Sequence, residues 1–167
     1  MKNIVLIGMP GAGKSTIGVI LAKRLLMDFI DTDVLTQQRL KRGLQEILNE
    51  QGYLALRELE EKEIVALTVT SAVIATGGSA AYSEKAMRHL KAHGAVYYLK
   101  VEIKTLLSRI NNMETRGIAK SKEQTFEDLY TEREVLYRKY ADHEIDCGNK
   151  SHETIAEEIA GKLCRER

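Results

Sequence analysis

Apolar and polar positions along this chain fall into two alternating regimes. Short continuous apolar runs, as in strands buried on both faces, alternate with stretches whose apolar residues recur at helical spacing. Asn3-Ile4-Val5-Leu6-Ile7 is the first run, and Thr16 to Leu26 keeps a helical pattern. Asp28-Phe29-Ile30-Asp31 is short and apolar and ends on a carboxylate. Residues 34 to 70 are mostly helical in pattern, broken near Gly43 and Gly52. Ala72-Val73-Ile74-Ala75-Thr76 reads as a third strand, stopped by Gly77-Gly78. A helix from Ser83 to Lys91 ends near Gly94, and Ala95-Val96-Tyr97-Tyr98-Leu99 makes a fourth strand, followed by a helix to about Asn111. Residues 112 to 124 show little periodicity. A helix from Thr125 to Tyr140, a strand near Glu144 to Asp146 and a helix from His152 to Leu163 complete the chain. Such alternation predicts a doubly wound α/β fold, a mostly parallel sheet with helices on both faces. There is no internal repeat, and the only proline is Pro10, so residues 1–167 are expected to form a single domain.

The turn after the first strand carries chemistry. Gly8-Met9-Pro10-Gly11-Ala12-Gly13-Lys14-Ser15 is a complete P-loop, set between a strand and a helix. Its glycines let backbone N–H groups turn inward around phosphate oxygens, and the following helix adds its N-terminal dipole. Lys14 is expected to reach the β- and γ-phosphates and the Ser15 hydroxyl to sit on Mg²⁺. The chain is therefore expected to bind a nucleoside triphosphate.

Ligands of such sheets collect at the carboxyl ends of the strands. Asp31-Thr32-Asp33 ends the second strand, and two carboxylates two residues apart in extended chain point the same way. One can orient Mg²⁺ while the other orients an acceptor hydroxyl and takes its proton. A polar strand end with Asp33 opening a helix is the competing account. Gly77-Gly78-Ser79 ends the third strand, where glycines admit a ligand close to backbone N–H groups or simply make a tight turn. Arg57 and Arg133 carry forks suited to carboxylates, although spacing alone does not select them from 25 basic residues. Arg116 lies in the aperiodic stretch, where a lid arginine over the phosphates and an ordinary exposed loop residue are equally good readings.

Composition removes several classes. The chain carries 25 basic and 24 acidic residues, a net charge of +1, without the basic excess of a nucleic-acid binder. No apolar run approaches a membrane span, and no signal-peptide pattern precedes the first strand, so a cytoplasmic protein is expected. Cys147 and Cys164 lie in separate elements, and the four histidines pair with neither at metal-ligand spacing. A GTPase switch is disfavoured, because Asn149-Lys150-Ser151-His152 lacks the Asp that reads guanine.

Taken together, the segments resemble shikimate kinase. The resemblance runs from Lys2 to about Leu163 and rests on Gly8 to Thr16, Asp31-Thr32-Asp33, Leu56-Arg57-x-x-Glu60, Gly77-Gly78, Arg116 and Arg133-Glu134-Val135-Leu136-Tyr137. It implies a three-layer α/β/α kinase fold, a five-stranded parallel sheet in the order 2-3-1-4-5, a substrate-binding helical segment near 34–60 and a mobile lid near 112–124. It implies transfer of phosphate from ATP to the 3-hydroxyl of shikimate, in the biosynthesis of chorismate and the aromatic amino acids. Asp33, Lys14 and Arg116 would be catalytic. Arg57 and Arg133 would grip the shikimate carboxylate, Gly78 and Ser79 would lie at the ring, and Glu60 would hold Arg57. Gly11, Ala12, Gly13, Lys14, Ser15, Thr16, Arg109 and Arg116 would bind ATP, with Arg109 against the adenine. Ser15 and Asp31 would hold Mg²⁺. No nucleic-acid or membrane partner is implied, and a monomer is expected.

The chain departs from that family's usual pattern at four places. Ser79 replaces a third glycine, Arg116-Gly117-Ile118 replaces Arg-Pro-Leu, Leu56 replaces a phenylalanine, and Tyr53 replaces an acidic residue. Gly117 is expected to loosen the lid. The Ser79 and lid changes keep open another acceptor on the same scaffold, such as gluconate or a nucleoside monophosphate.

Overall fold

Five parallel strands form one sheet in the order β2-β3-β1-β4-β5. They are β1 (Asn3–Ile7), β2 (Asp28–Asp31), β3 (Ala72–Ala75), β4 (Gly94–Lys100) and β5 (His143–Asp146). The computed structural model describes residues 2–109, 117–121 and 123–165. The central strand β1 is buried along its whole length, and it pairs Leu6 with Ala75 on one side and with Tyr97 on the other. That is why its sequence is a continuous apolar run rather than an alternating one.

Seven α-helices lie among the described residues: α1 (Lys14–Leu25), α2 (Thr32–Leu40), α3 (Leu44–Val65), α4 (Glu84–His93), α5 (Ile103–Arg109), α6 (Phe126–Tyr140) and α7 (His152–Arg165). The chain moves from β1 to β2 in one direction across the sheet and from β2 through β5 in the other. Right-handed crossovers then put α1 on one face and α3, α4 and α6 on the opposite one. Packing agrees, since α1 lies against α7 and α3 against α4. The main core fills both faces with Ile17, Leu21, Met87, Leu90, Leu129, Ile155 and Ile159.

The sheet order matches the sequence reading, and most boundaries shift by one or two residues. Three local differences have plain causes. Asp31, not Asp33, caps α2: its carboxylate accepts from the backbone N–H groups of Asp33 and Val34. Such a cap contributes about 1 kcal/mol. Because the helix begins at Thr32, Asp33 lies in its first turn, and the extended-chain argument for two parallel carboxylates does not hold. The break near Gly52 is a single residue at φ 82 and ψ 171, after which α3 resumes. Residues 66–70 leave the helical pattern to reach β3. No helix among the described residues is long and apolar enough to cross a membrane.

A smaller apolar cluster stands apart from the main core. Ile47, Leu56 and Ala119 are buried together, with Leu44, Leu48, Tyr53 and Leu59 packed around them. It ties the first half of α3 to the segment 117–121.

Candidate active site

The carboxyl ends of β1, β2 and β3 open into a cavity of about 930 Å³. On one side lies the loop between β1 and α1. Gly13 adopts φ 93, where a side chain is strained, and a Cβ there would lie 3.1 Å from His152 Nε2, so His152 would have to shift to admit one. Lys14 opens α1 and is buried, with its Nζ donating to the carbonyls of Gly8 at 2.7 Å and Met9 at 3.0 Å. Burial lowers its pKa to about 8, against the raising influence of Asp33 and Asp31. Ser15 and Thr16 are exposed at the cavity wall.

Two short hydrogen bonds set the strand ends against one another. The Gly77 N–H donates to Thr32 Oγ1 at 3.0 Å, and the Thr76 hydroxyl donates to the Leu6 carbonyl at 3.1 Å. Asp33 and Gly77-Gly78 are thereby fixed beside the phosphate loop. The Ser15 hydroxyl donates to Asp31 Oδ2 across 2.6 Å. An alcohol oxygen and a carboxylate oxygen are the hard donors that Mg²⁺ takes.

The opposite wall is a buried charge cluster. Arg133 is 1% exposed and Glu60 5% exposed. Burial raises the pKa of Asp33 first and the neighbouring Asp31 carboxylate second, while Lys14 and Arg133 oppose the shift. Glu60 is raised by burial and then by Asp33, with Arg133, Lys14 and Arg57 opposing. The Gly78 carbonyl accepts from the Tyr137 hydroxyl, and a Cβ on Gly78 would meet Arg133 Nη1 at 2.7 Å and Pro10 Cδ at 3.0 Å. Ser79 is buried beside it at the cavity wall, and its hydroxyl has no hydrogen-bond partner among the described residues.

Arg57 and Arg133 converge on one atom. Arg133 Nη2 donates to the Ala119 carbonyl at 2.9 Å, and Arg57 Nη2 donates to the same oxygen at 3.3 Å. The Nε of each is buried, without a hydrogen-bond partner among the described residues. Arg57 lines a second cavity of about 370 Å³ with Tyr53, Ser121, Glu123, Gln124 and Glu132. At φ 61 the Gly117 N–H donates to Gln45 Oε1 at 2.9 Å, and a Cβ there would collide with Leu44.

Of the residues singled out from sequence, Gly11, Gly13, Lys14, Ser15, Thr16, Asp33, Glu60, Gly78, Ser79, Arg109 and Arg133 line the larger cavity. Ala12 is buried beneath the loop, and Asp31 joins through Ser15. Arg116 lies outside the described residues, as do 112–115 and 122 of the lid stretch. The sequence reading missed Lys150, Ser151, His152 and Glu153, which line the cavity opposite Gly13 at the start of α7. A usable signal was present: they follow β5, a strand end like the others, and Ser151 Oγ accepts from the Thr154 N–H as a helix cap does.

Relatives match the chain over nearly its whole length. The sequence model of the family described as "Shikimate kinase" matches residues 10–164. A shikimate kinase of Sulfurihydrogenibium sp. (strain YO3AOP1) is 36% identical over 99% of both chains. One from Bacillus mycoides (strain KBAB4) is 33% identical over 98% of this chain and 99% of its own. Among solved structures, shikimate kinase from Acinetobacter baumannii in complex with shikimate superimposes with a TM-score of 0.93 and 28% identity, covering 100% of this chain and 95% of that one. A phosphate loop facing a pocket lined by the buried Arg133 and by Asp33 and Glu60 accords with that relationship, and the chain belongs to the shikimate kinase family.

Proposed function

We propose that this protein transfers the γ-phosphoryl group of Mg-ATP to the 3-hydroxyl of shikimate, releasing ADP and shikimate 3-phosphate. The observation that carries the reading is the pocket's division of charge: Lys14 and the phosphate loop on one wall, Arg133 and Glu60 on the other, and Asp33 between them. An anionic polyol needs guanidinium forks at one end and a carboxylate at the hydroxyl that reacts.

Asp33 accepts a hydrogen bond from the acceptor hydroxyl, aims its oxygen at the γ-phosphorus and takes its proton as the P–O bond forms. Arg57 and Arg133 hold the acceptor carboxylate, and Glu60 steadies the guanidiniums from behind. Gly78 and Ser79 meet the ring, the Ser79 hydroxyl finding there the partner it otherwise lacks. Lys14 exchanges the Gly8 and Met9 carbonyls for phosphate oxygens, and Arg116 neutralises phosphate charge. Arg109 packs against the adenine. Ser15 and Asp31 would hold Mg²⁺, which would supply positive charge to offset that of the phosphates. Most of the rate enhancement comes from this alignment and electrostatic support. We infer that the protein works as a monomer in the cytoplasm, where its two free cysteines would persist.

The test is ADP release by purified protein with Mg-ATP and shikimate, gluconate, AMP, CMP or no acceptor. Release that saturates with shikimate alone is expected. Saturation with another acceptor, and none with shikimate, would overturn the assignment.

A further inference from the structure

Tyr82 lies outside both the phosphate loop and the larger cavity's lining, yet it is the side chain that the two arginines share. It closes a short 3-10 turn, Ala80–Tyr82, directly after Ser79. The Arg57 guanidinium carbon stands 3.5 Å from the centre of the Tyr82 ring, a stacking distance, and that of Arg133 stands 5.4 Å from it. Tyr53 lies against Arg57 as well, at 5.0 Å. One aromatic ring thus lies against two cations that also aim at one carbonyl oxygen, that of Ala119.

Two guanidiniums converging on a single neutral oxygen repel each other, and Glu60 is the buried carboxylate among them. An aromatic face carries the negative side of its quadrupole and attracts a cation without consuming any of its N–H donors. Stacking on Tyr82 therefore holds the planes of the forks while leaving their N–H edges, including both unpartnered Nε atoms, for a ligand. The ring itself is anchored. The Tyr82 N–H donates to the Ser79 carbonyl at 3.0 Å, and the next residue, Ser83, caps α4 and donates to Glu61 Oε2 on α3 at 2.6 Å. Helices α3 and α4 thereby fix the turn that carries the ring.

We propose that Tyr82 is a positioning residue for acceptor recognition: its ring face sets the separation and tilt of Arg57 and Arg133 so that their forks meet one carboxylate. The inference rests on the acceptor reading above and adds to it the residue that organises the carboxylate grip. Acceptor binding replaces the Ala119 carbonyl by a carboxylate at the point of convergence, and the ring keeps the arginines from spreading before it arrives.

Steady-state kinetics on Tyr82→Leu and Tyr82→Phe tests it. Tyr82→Leu is expected to raise KM for shikimate roughly tenfold, the order a desolvated cation–π contact carries. Its kcat and its KM for ATP should stay within about twofold of the parent, and Tyr82→Phe, which keeps the ring, should restore the shikimate KM. Adding Tyr82→Leu to Arg57→Ala should cost much less than it does alone, because the ring acts through the guanidinium. An unchanged shikimate KM in Tyr82→Leu overturns the inference. So does a parallel loss of ATP affinity and turnover, or a Tyr82→Phe variant as impaired as Tyr82→Leu. If Tyr82→Leu does not fold, Tyr82→Thr is read by the same criteria. Absence of shikimate-dependent turnover in the unaltered protein overturns the acceptor reading itself, a result distinct from a normal parent with an indifferent Tyr82.

Discussion

Glu60 occupies the space in which a side chain on Gly77 would begin. A Cβ on Gly77 would lie 1.7 Å from Glu60 Oε1 and 2.5 Å from Asp33 Oδ1. The strand-end glycine is thus required less for its turn than for the two carboxylates folded over it. The backbone is held in place from the other side, by the bond from the Gly77 N–H to Thr32.

Gly77→Ala should therefore injure acceptor chemistry selectively. Glu60 is buried among Arg57, Arg133 and Asp33 and has nowhere to swing without uncovering a charge. We expect kcat/KM for shikimate to fall at least about tenfold, since misplacing a positioning group by an ångström costs that much or more. Affinity for ATP should change by less than about twofold. Gly161→Ala, where nothing lies within 4 Å of the added carbon, is the control and should leave both constants alone. Parallel steady-state titrations of ATP and shikimate check the pair.

How far the site could be read from sequence follows from which groups are set by local chemistry. The phosphate loop is local: strand, glycines, lysine and helix are contiguous, and each of Gly11 to Thr16 sits where the motif puts it. The sheet order was legible through the resemblance, and the strands themselves through their continuous apolar runs. The orientation of the carboxylate pair was not legible, because extended chain ends at Asp31, whose carboxylate accepts two backbone N–H groups and turns the chain into α2. Tyr82 was not legible, because its neighbours are distant in sequence, and the Lys150–Glu153 segment was signalled only by its place after a strand end. Nothing near Tyr82 in the chain signals a cation–π stack with Arg57, and His152 meets Gly13 only once α7 has packed on α1.

The Ser15–Asp31 contact gives a prediction that separates metal binding from folding. Asparagine caps a helix about as well as aspartate, so Asp31→Asn keeps the cap on α2 and should change stability by less than about 0.5 kcal/mol. It removes the negative oxygen that Ser15 meets at 2.6 Å. The Mg²⁺ concentration giving half-maximal activity should then rise several-fold at saturating ATP and shikimate, with the thermal midpoint almost unmoved. An unchanged Mg²⁺ dependence would remove Asp31 from the proposed metal site.

Asp33 is proposed to touch the reacting hydroxyl, so its loss should appear in turnover. General-base contributions run to about 10²–10⁴-fold. Asp33→Asn preserves the shape and a hydrogen-bonding oxygen but cannot take a proton at neutral pH. We expect kcat to drop by at least about a hundredfold, with KM for ATP within about threefold. Single-turnover measurement with radiolabelled ATP distinguishes this from slow product release, and a variant with normal turnover would exclude Asp33 as base.

Glu60 makes stability depend on pH in a direction that can be worked out. Burial first, and the Asp33 charge second, raise its pKa from the ordinary carboxylate value to about 8 in the folded chain. Below the unfolded-state value of about 4.5 the group is protonated in both states and its raised pKa stabilises the fold fully. As pH climbs from there towards 8, the unfolded chain releases its proton first, and that stabilisation is progressively lost. Lys14 has its pKa lowered to about 8, so its own contribution changes only above that pH and in the opposite sense, stability rising as the unfolded lysine deprotonates later. Between pH 5 and 8 the two effects are separable. Glu60→Gln, which cannot ionise, should therefore gain stability relative to the parent across that interval. Urea midpoints for both proteins at pH 5, 6, 7 and 8, without ligands, are the measurement. A difference that stays constant with pH would mean that Glu60 is ionised in the folded protein throughout, with Arg57 and Arg133 outweighing burial and the repulsion of Asp33.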